Sequence, residues 1–396
     1  MIFQKDFLFI YGAGLVRSMG VSLIGTVVAI YWATVGFNSA QIGILVTLGL
    51  AGGTLATFCV SFFADKWGRR RMLLTLSFFS CAGGIFLALN PSFTVMCVVT
   101  FIGMINGMGR DRMAAFSLEQ SLLAQTQDTH TRTKVFATYN LIQDIGHASG
   151  SLLAGLPFLF RKIFTIEAVH SYQLTLVFYA FLLLIGGIFY LGLPKEIEIK
   201  NRINQKISPD SLRKIKNFGA LSFLDSLGGG FLTGALISYW FFKRFGVTEE
   251  TIGFLFFLAR IANGASFLVA AWLSKKIGLV NTMVFTHIPA SIFLMIVPFM
   301  PSFWLAALLY LLRECLVEMD VPTRQSYLAS IVSDHERTFT LGIVNVIRNL
   351  AWATSPVMAG YAMRVMALST PLFAGPSIKI CYDLLLYKMF RKIKPM

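Results

Sequence analysis

The sequence predicts an all-α polytopic membrane protein with twelve transmembrane helices, arranged as two pseudo-symmetric bundles of six helices each. Two observations indicate this fold class: an internal repeat half as long as the chain, and a composition too apolar for a water-soluble protein of this size. The distribution of basic residues then predicts which ends of the helices face the cytoplasm.

The internal repeat relates residues 119–155 to residues 324–360. Sliding the chain by 205 positions without a gap makes twelve of these 37 positions identical, among them Asn140 with Asn345 and His130 with His335. The chain has 396 residues, so the repeat unit is half of the molecule and too long for a solenoid repeat. Half-molecule repeats are typical of membrane transporters, in which they frame a central site.

The composition places the chain in a lipid bilayer. Hydrophobic residues make up 56% of it and charged residues 13%, whereas soluble domains carry about 25% charged residues. Uncharged runs such as 21–41 and 176–194 are long enough for bilayer-spanning helices of about 20 residues. The apolar start, residues 1–35, has no small-residue cleavage site and is predicted to be a retained first helix. The five cysteines show neither metal-ligand spacing nor a disulfide framework.

The apolar runs divide the chain into helices and one connector. The hydrophilic stretch 195–216 predicts a connector between an N-terminal bundle, 1–194, and a C-terminal bundle, 217–396. The predicted helices span residues 7–34, 39–63, 72–90, 93–124, 133–160, 170–193, 216–242, 249–273, 278–299, 302–332, 338–365 and 371–390.

Basic residues predict the orientation of these helices. Of the 34 Lys and Arg, 21 fall on the side of the termini and the connector, five fall on the opposite side, and eight lie within helices. By the positive-inside rule, both termini and the connector are cytoplasmic. The net charge of +15 is therefore mostly a topology signal, and nucleic-acid binding is excluded.

The loop between predicted helices 2 and 3, residues 61–71, reads SFFADKWGRRR. It resembles the signature loop of the major facilitator superfamily (MFS), roughly G-x-L-A-D-[RK]-x-G-R-[RK]. Ser61 and Phe63 replace the usual Gly and Leu; the matching positions are Ala64, Asp65, Lys66, Gly68, Arg69 and Arg70. The resemblance covers the whole chain, because twelve helices in two parallel halves with a cytoplasmic connector is the MFS fold. It implies a secondary transporter.

Charged side chains inside the predicted helices are candidates for function, because charges in a bilayer are costly and usually face the bundle interior. The resemblance implies that helices 1, 4, 7 and 10 line a central cavity. The substrate-binding candidates are Arg17, Arg110, Asp111, Asp225, Glu314, Glu318, Asp320 and Arg348. Guanidinium groups bind carboxylate and phosphate through two bonds, so the arginines among these, with Arg313, favour an anionic or zwitterionic substrate.

Acidic residues in the bundle are candidates for proton coupling, which requires an acid that takes up and releases a proton as its surroundings alternate between dry and wet. The candidates are Asp144, Asp225 and Glu318, followed by Asp111 and Glu119. Asp144 lies on a predicted polar stripe of helix 5 with Asn140, Gln143 and His147, and its repeat equivalent is the uncharged Asn349.

Spacing also predicts particular pairs of side chains. Arg112 and Glu119, seven residues apart in predicted helix 4, share a face. Lys379 and Asp383, four residues apart in helix 12, predict a local ion pair. Aligning Tyr31 with Tyr239, an offset of 208, places Arg17 on Asp225, so that opposite charges occupy equivalent positions in the two halves.

Glu119 and Arg324 occupy equivalent repeat positions at the cytoplasmic ends of helices 4 and 10. They predict an ion pair that closes a cytoplasmic gate. The alternative is that Glu119 pairs within its own half, with Arg69 or Arg70 in the signature-loop network that also includes Asp65 and Gly68.

The expected function is secondary active transport of a small solute by alternating access, coupled to protons and located in the cytoplasmic (inner or plasma) membrane. Two alternatives stay open: a proton-linked exporter of hydrophobic or cationic compounds, of the multidrug or siderophore type, and a non-transporting membrane receptor on the same fold. The partners expected are the substrate, protons and lipid, with a monomer as the functional unit. The chain shows no phosphate-binding loop, no credible Ser-His-Asp arrangement and no metal-ligand spacing, so neither an enzyme nor a cofactor or metal is expected.

Overall fold

The computed structural model describes residues 4–89, 92–123, 129–194, 209–320, 323–324 and 337–390. Regular structure within these ranges is helical, with fifteen α-helices and one short 3-10 helix at Val297–Phe299. The α-helices are α1 Gln4–Thr34, α2 Ser39–Trp67, α3 Arg69–Leu89, α4 Phe93–Ile102, α5 Ala114–Leu123, α6 Thr129–Leu153, α7 Leu156–Phe164, α8 Ala168–Leu191, α9 Pro209–Gly230, α10 Gly234–Phe245, α11 Glu249–Ile277, α12 Leu279–Ile296, α13 Phe303–Val317, α14 Arg337–Val365 and α15 Thr370–Phe390.

Eight of the twelve predicted helices are single helices, and the other four are interrupted. The breaks fall at 103–113, 154–155, 231–233 and 318–319, within the predicted helices 4, 5, 7 and 10. Glycine accounts for two of them, because three glycines lie within 103–113 and three in succession precede 231–233, and glycine weakens a helix interior. The second part of predicted helix 10 lies largely outside the described residues, as do residues 195–208 of the predicted connector.

Seven segments in the described part of the chain are long and apolar enough to cross a membrane. They are Phe7–Thr34, Ser39–Ala64, Arg69–Leu89, Ala168–Leu191, Phe218–Phe245, Glu249–Ile277 and Leu279–Phe299. The interruptions explain part of the difference from twelve, because broken helices present shorter apolar runs. The count of twelve spans stays a prediction.

The chain divides into two compact units. The first unit comprises Met1–Arg202 and Thr233–Phe257, and the second comprises Ile203–Leu232 and Leu258–Met396. The described part of the first unit therefore includes α10, whose Ala235 amide donates to the Gly107 carbonyl (3.0 Å). The predicted bundle boundary within 195–216 stays a prediction, since most of that stretch is not described.

In the first unit, α1 packs against α6 and α8, and α3 packs against α8. Helix α8 shows how such a helix is divided between protein and lipid. One face carries buried Tyr172, Tyr179 and Tyr190. The opposite face exposes an apolar stripe at spacings of three and four, made of Leu174, Val177, Phe181, Leu184, Ile188 and Leu191. An exposed stripe of this kind is the surface that lipid covers in a membrane protein.

In the second unit, α9 packs against α14 and α15, and α12 packs against α13 and α15. Its apolar core includes Phe218 of α9, Met283 of α12, and Tyr382 and Leu386 of α15. These helices also supply the buried charges described below.

Candidate functional site

The break between α4 and α5 brings an acidic residue to the interior of the first unit. Asn106 organises this loop: its side-chain amide donates to the Arg110 carbonyl (2.8 Å) and its side-chain oxygen accepts from the Met108 amide (3.0 Å). Gly109 has a φ of 73° and lies against Gly25 of α1, so closely that a Cβ on Gly25 would lie 2.6 Å from the Gly109 nitrogen. Two glycines are therefore needed where the loop crosses α1. Asp111 follows directly and is buried.

Arg17 of α1 binds two carboxylates in the first unit. Its Nε donates to Asp111 Oδ2 (2.5 Å), its Nη1 to Glu119 Oε1 (2.8 Å) and its Nη2 to Glu119 Oε2 (2.5 Å). The planar guanidinium thus makes a two-point salt bridge with Glu119 and a further bond to Asp111, the geometry that arginine favours with carboxylates. Glu119 has no solvent exposure.

Two tyrosines complete the surroundings of Glu119. Tyr139 of α6 donates to Oε2 (2.5 Å), and Tyr190 of α8 donates to Oε1 (2.7 Å) while accepting from Arg17 Nη1. Gln143 in turn donates to the Tyr139 hydroxyl (2.7 Å). Arg17, Asp111, Glu119, Tyr139 and Tyr190 form the first ion cluster, which joins α1, the 103–113 loop, α5, α6 and α8.

His147 fixes the backbone at Asp111. Its Nε2 accepts a hydrogen bond from the Asp111 amide (3.0 Å). A ring nitrogen that accepts an N–H carries no proton, so this bond assigns His147 as a neutral imidazole with its proton on Nδ1.

A cavity of about 60 Å³ lies beside Asp111 within the first unit. Its polar lining comes from Arg17 and Asp111, from Ser77 and Ser80 of α3, and from Asn106, Tyr179 and Tyr190. A water molecule needs about 10–15 Å³ of such space and two to four polar partners, so the cavity has room for several waters.

The second unit holds a cluster around one aspartate. Asp225 of α9 accepts from Lys379 Nζ at Oδ1 (2.7 Å) and from Arg324 Nη1 (3.1 Å) and Arg348 Nη1 (3.0 Å) at Oδ2. Arg324 Nη1 also donates to Asp320 (2.5 Å). These five residues, all buried, form the second ion cluster.

A histidine continues the second cluster. His287 Nδ1 lies 3.0 Å from Asp383 Oδ1, and its Nε2 lies 3.4 Å from Lys379 Nζ. Because the ammonium group only donates, Nε2 is the acceptor and the ring proton is on Nδ1, facing Asp383. The predicted local pair of Lys379 with Asp383 is therefore wrong: the lysine reaches Asp225, and the aspartate binds His287.

The two clusters are related by the internal repeat with their charges exchanged. Arg17 corresponds to Asp225 at offset 208, and Glu119 corresponds to Arg324 at offset 205. In each unit these two positions form a buried ion pair, Arg17 with Glu119 and Asp225 with Arg324. Positions 17 and 225 therefore carry the expected opposite charges. Each pairs with an opposite charge at the repeat-equivalent position, Glu119 for Arg17 and Arg324 for Asp225.

The remaining predicted residues are Glu314, Glu318 and Arg110. Glu314 pairs with its neighbour Arg313 and accepts from Asn263 (2.8 Å). Glu318 is half-buried at the end of α13, and Arg110 is half-buried in the 103–113 loop.

The signature loop has the predicted turn. Gly68 caps α2 with a φ of 92°, as its residue type predicts. Arg70 donates to the carbonyls of Tyr190 (3.2 Å) and Leu191 (2.7 Å), and Arg69 is buried. The side chain of Asp65 lies outside what the structure describes.

Several pairings predicted from spacing are corrected. Arg112 and Glu119 do not share a helix face, because Arg112 precedes the start of α5. Within the first unit, Glu119 pairs with Arg17 rather than with Arg69 or Arg70. The gate pair of Glu119 with Arg324 would join the two units and stays a prediction.

The polar stripe of predicted helix 5 is also divided. Gln143 and His147 are buried, whereas Asn140 and Asp144 are exposed. Tyr139, which joins the first cluster, lies on the buried face, four residues before Gln143 and eight before His147. The structure therefore does not bring Asp144 to the first ion cluster.

Sequence reasoning missed three members of these networks, Tyr139, Tyr190 and His287, and mispaired two others, Lys379 and Asp383. Tyr190 carried no signal, and Tyr139 carried only its spacing of four from Gln143 on the predicted polar stripe. The spacing of Lys379 and Asp383 predicts a pair between them, and a single histidine at position 287 does not indicate which residues it contacts. The spacing of four in α15 was a genuine signal of charge on one helix face, although the partners are on α9 and α12.

The helical architecture, lipid-type surfaces and buried ion clusters define an integral membrane protein of the transporter class. A family model described as Major Facilitator Superfamily matches residues 10–356. The chain therefore belongs to the Major Facilitator Superfamily, whose members are transporters, and the predicted family and fold class are confirmed.

Individual proteins show the same relationship. The uncharacterized membrane protein YJR124C of Saccharomyces cerevisiae is 23% identical over 423 residues, which cover 98% of this chain and 94% of the yeast protein. The solved structure of the nucleoside transporter NupG matches with a TM-score of 0.74 at 16% identity, over 99% of this chain and 100% of NupG. A D-xylose-proton symporter matches with a TM-score of 0.74 at 14% identity, over 98% and 99%. At these identities the structural matches show the fold alone.

Proposed function

We propose that the chain is a secondary transporter that moves a small polar solute by alternating access and couples this movement to protons. The observation that carries the proposal is the first ion cluster, in which the two carboxylates of Asp111 and Glu119 share the guanidinium of Arg17. Buried ionisable groups in membrane helices mark ion pathways and proton relays.

The charge balance of this cluster explains why a proton would bind there. One guanidinium neutralises one carboxylate, so the second leaves an excess negative charge in a buried place, and burying an unneutralised charge is costly. A proton on either acid removes that excess. Because the cost depends on access to water, opening and closing of the bundle would change the affinity of the cluster for the proton.

The state of the arginines favours a substrate without net charge, either uncharged or zwitterionic. Three of the four arginines predicted to recognise an anion already pair with an acid of their own unit: Arg17, Arg313 and Arg348. An anionic substrate would have to displace these carboxylates. The nucleoside and xylose specificities named for the two solved structures support the same class of substrate.

We further propose that both termini and the connector are cytoplasmic, that the protein resides in the cytoplasmic membrane, and that it works as a monomer. The excess of Lys and Arg on the side of the termini supports this orientation. This orientation is tested by inserting a protease site at either terminus. Cleavage by protease added on the cytoplasmic side, and not by protease added outside, would support it.

Substrate class is tested with purified protein by thermal shift, followed by counterflow in proteoliposomes. The probes are uridine and D-xylose (uncharged), glutamine (zwitterionic), succinate (anionic) and tetraphenylphosphonium (a hydrophobic cation). We expect saturable counterflow with an uncharged or zwitterionic probe. Counterflow with succinate alone would contradict the substrate class, tetraphenylphosphonium would favour an exporter of hydrophobic cations, and stabilisation by a probe without any flux would favour a receptor.

A further inference from the structure

We propose that Asp111 is the residue that binds and releases the coupled proton, and that Glu119 stays ionised as the permanent partner of Arg17. This inference rests on the proton coupling proposed above and names the acid that performs it. It is carried by the different surroundings of the two carboxylates.

Glu119 is saturated with donors. Its two oxygens accept four hydrogen bonds, two from Arg17 and one each from Tyr139 and Tyr190. An ionised carboxylate has about four lone-pair sites, so every site is occupied. A proton on Glu119 would displace at least one of these donors, in a place without solvent exposure. These contacts hold Glu119 in its charged form.

Asp111 is bonded on one side and open on the other. Its Oδ2 accepts from Arg17 Nε (2.5 Å), whereas Oδ1 takes part in none of the bonds described above. Asp111 also lines the cavity of the first unit, so water can reach its carboxylate. A proton can therefore pass from cavity water to Asp111, forming an O–H bond there, and later return to water, without disturbing the donors of Glu119.

Charged and polar groups from several elements surround Asp111. Arg17 faces it from α1 and Glu119 from α5, and the phenols Tyr179 and Tyr190 line the cavity from α8. From α6 comes the neutral ring of His147. Along the chain, Arg110 and Arg112 flank Asp111 and are half-buried. With a proton on Asp111, the salt bridge of Arg17 with Glu119 is left as a neutral pair.

The same cavity could in principle hold Na⁺, because Ser77, Ser80 and Asp111 present oxygen atoms to it. Arg17 argues against a metal cation, because its guanidinium lies 2.5 Å from the carboxylate and repels a second positive charge. Arg17 disfavours a proton on Asp111 as well, but a proton is held by a covalent O–H bond and needs no further oxygen ligands. Titration in NaCl and in choline chloride distinguishes bound Na⁺ from a bound proton.

The test is an infrared titration of the purified full chain that follows the C=O stretch of protonated carboxylic acids. We expect a titrating band that Asp111→Asn removes. Glu119→Gln should retain the band, because Asp111 keeps its carboxyl group and its place in the cavity lining. Glu249→Gln is the matched control: Glu249 is a buried acid of the same unit, paired with Arg161 (2.8 Å), and its loss should leave the band unchanged. Asp111→Glu keeps a carboxyl group at this position and should show a titrating band. It is the variant to use if Asp111→Asn is unstable.

Several results would overturn the assignment. A band that survives Asp111→Asn and disappears in Glu119→Gln would assign the proton to Glu119. The absence of any titrating band in the wild type would show that no carboxyl group of this cluster binds a proton.

Titration in NaCl and in choline chloride tests whether Na⁺ binds instead. A midpoint that depends on Na⁺ would contradict the proposal that Asp111 binds a proton. If Asp111 titrates but wild-type flux ignores a pH gradient, the proposed coupling fails while the site stands. If flux follows the gradient and Asp111→Asn changes neither flux nor spectrum, only the assignment fails.

Discussion

Arg17 and Glu119 form a two-point salt bridge inside the first unit, with Nη1–Oε1 and Nη2–Oε2 distances of 2.8 and 2.5 Å. The repeat-equivalent positions in the second unit, Asp225 and Arg324, also form a salt bridge, with the charges exchanged and a distance of 3.1 Å. Each half of the molecule thus neutralises its own charge at these positions. The two positions carry opposite signs in the two halves, and both halves contain the pair.

The first prediction concerns the strength of this salt bridge. Arg17→Gln and Glu119→Gln should each lower the thermal stability of the purified protein strongly, since removing one member of a buried pair costs about 3–5 kcal/mol. The double variant should be less destabilised than the sum of the two, with a coupling energy in the range of about 0.5–3 kcal/mol.

Arg161 and Glu249 provide the control pair for this cycle. They form a single bond of 2.8 Å, and about a quarter of the Arg161 side chain is exposed (26%). Their coupling should be the smaller of the two. Equal coupling in both cycles would show that the two-point geometry of Arg17 and Glu119 adds nothing.

The second prediction concerns the phenol that bridges Arg17 and Glu119. Tyr190→Phe removes a hydrogen bond to a charged acceptor, a loss of about 1.5–3 kcal/mol. Tyr31→Phe removes a bond to the neutral Leu87 carbonyl (3.2 Å) and should cost less, about 0.5–1.5 kcal/mol. Melting temperatures of the two variants in one detergent compare them directly; a larger shift for Tyr31→Phe would show that Tyr190 does not bond the carboxylate.

The third prediction concerns the centre of the second cluster. Asp225→Asn leaves three cations without their shared carboxylate, whereas Lys379→Met removes one of those cations and leaves Asp225 with Arg324 and Arg348. Asp225→Asn should therefore reduce folded protein in the membrane more than Lys379→Met does, as measured by the monodisperse fraction in size-exclusion chromatography. The opposite order would mean that Asp225 is not the organising residue.

The fourth prediction concerns the surface of α8. Phe181 is 53% exposed on the apolar stripe that we assign to lipid. Phe181→Lys should reduce membrane insertion, because a lysine near the middle of a membrane helix costs about 2.5–3.5 kcal/mol on insertion scales. Phe181→Leu should have no effect. Normal accumulation of Phe181→Lys would show that this face meets water or protein.

The sequence predicted the fold because the fold depends on features that a single chain displays directly. The half-length repeat, the apolar composition and the loop around Gly68 are local or periodic signals. The family match confirmed the family that they predicted. The same reasoning identified Arg17 and Asp225 as equivalent positions of opposite charge. Helix continuity was harder to predict, because an apolar run with glycines can continue as a helix or break, as it does at 103–113.

The partners of the charged residues could not be derived from spacing. Asp111 reaches Arg17 only because α4 ends at Ile102 and the loop turns across Gly25 of α1. Lys379 lies one helical turn from Asp383, yet tertiary packing places it against Asp225 of another helix. Local spacing states which side chains share a face, and only the packing of helices decides what that face meets.

In the proposed mechanism, protons bound at Asp111 drive substrate movement. The most direct measurement is accumulation of the counterflow substrate in proteoliposomes under an imposed pH gradient, with the membrane potential clamped by valinomycin and potassium. We predict that wild-type protein concentrates the substrate only when the gradient is present, while Asp111→Asn keeps counterflow exchange and loses gradient-driven accumulation. Asp144→Asn, altered at an exposed acid of α6, should behave like the wild type. Accumulation by Asp111→Asn at the wild-type level, or its loss in Asp144→Asn alone, would contradict the account.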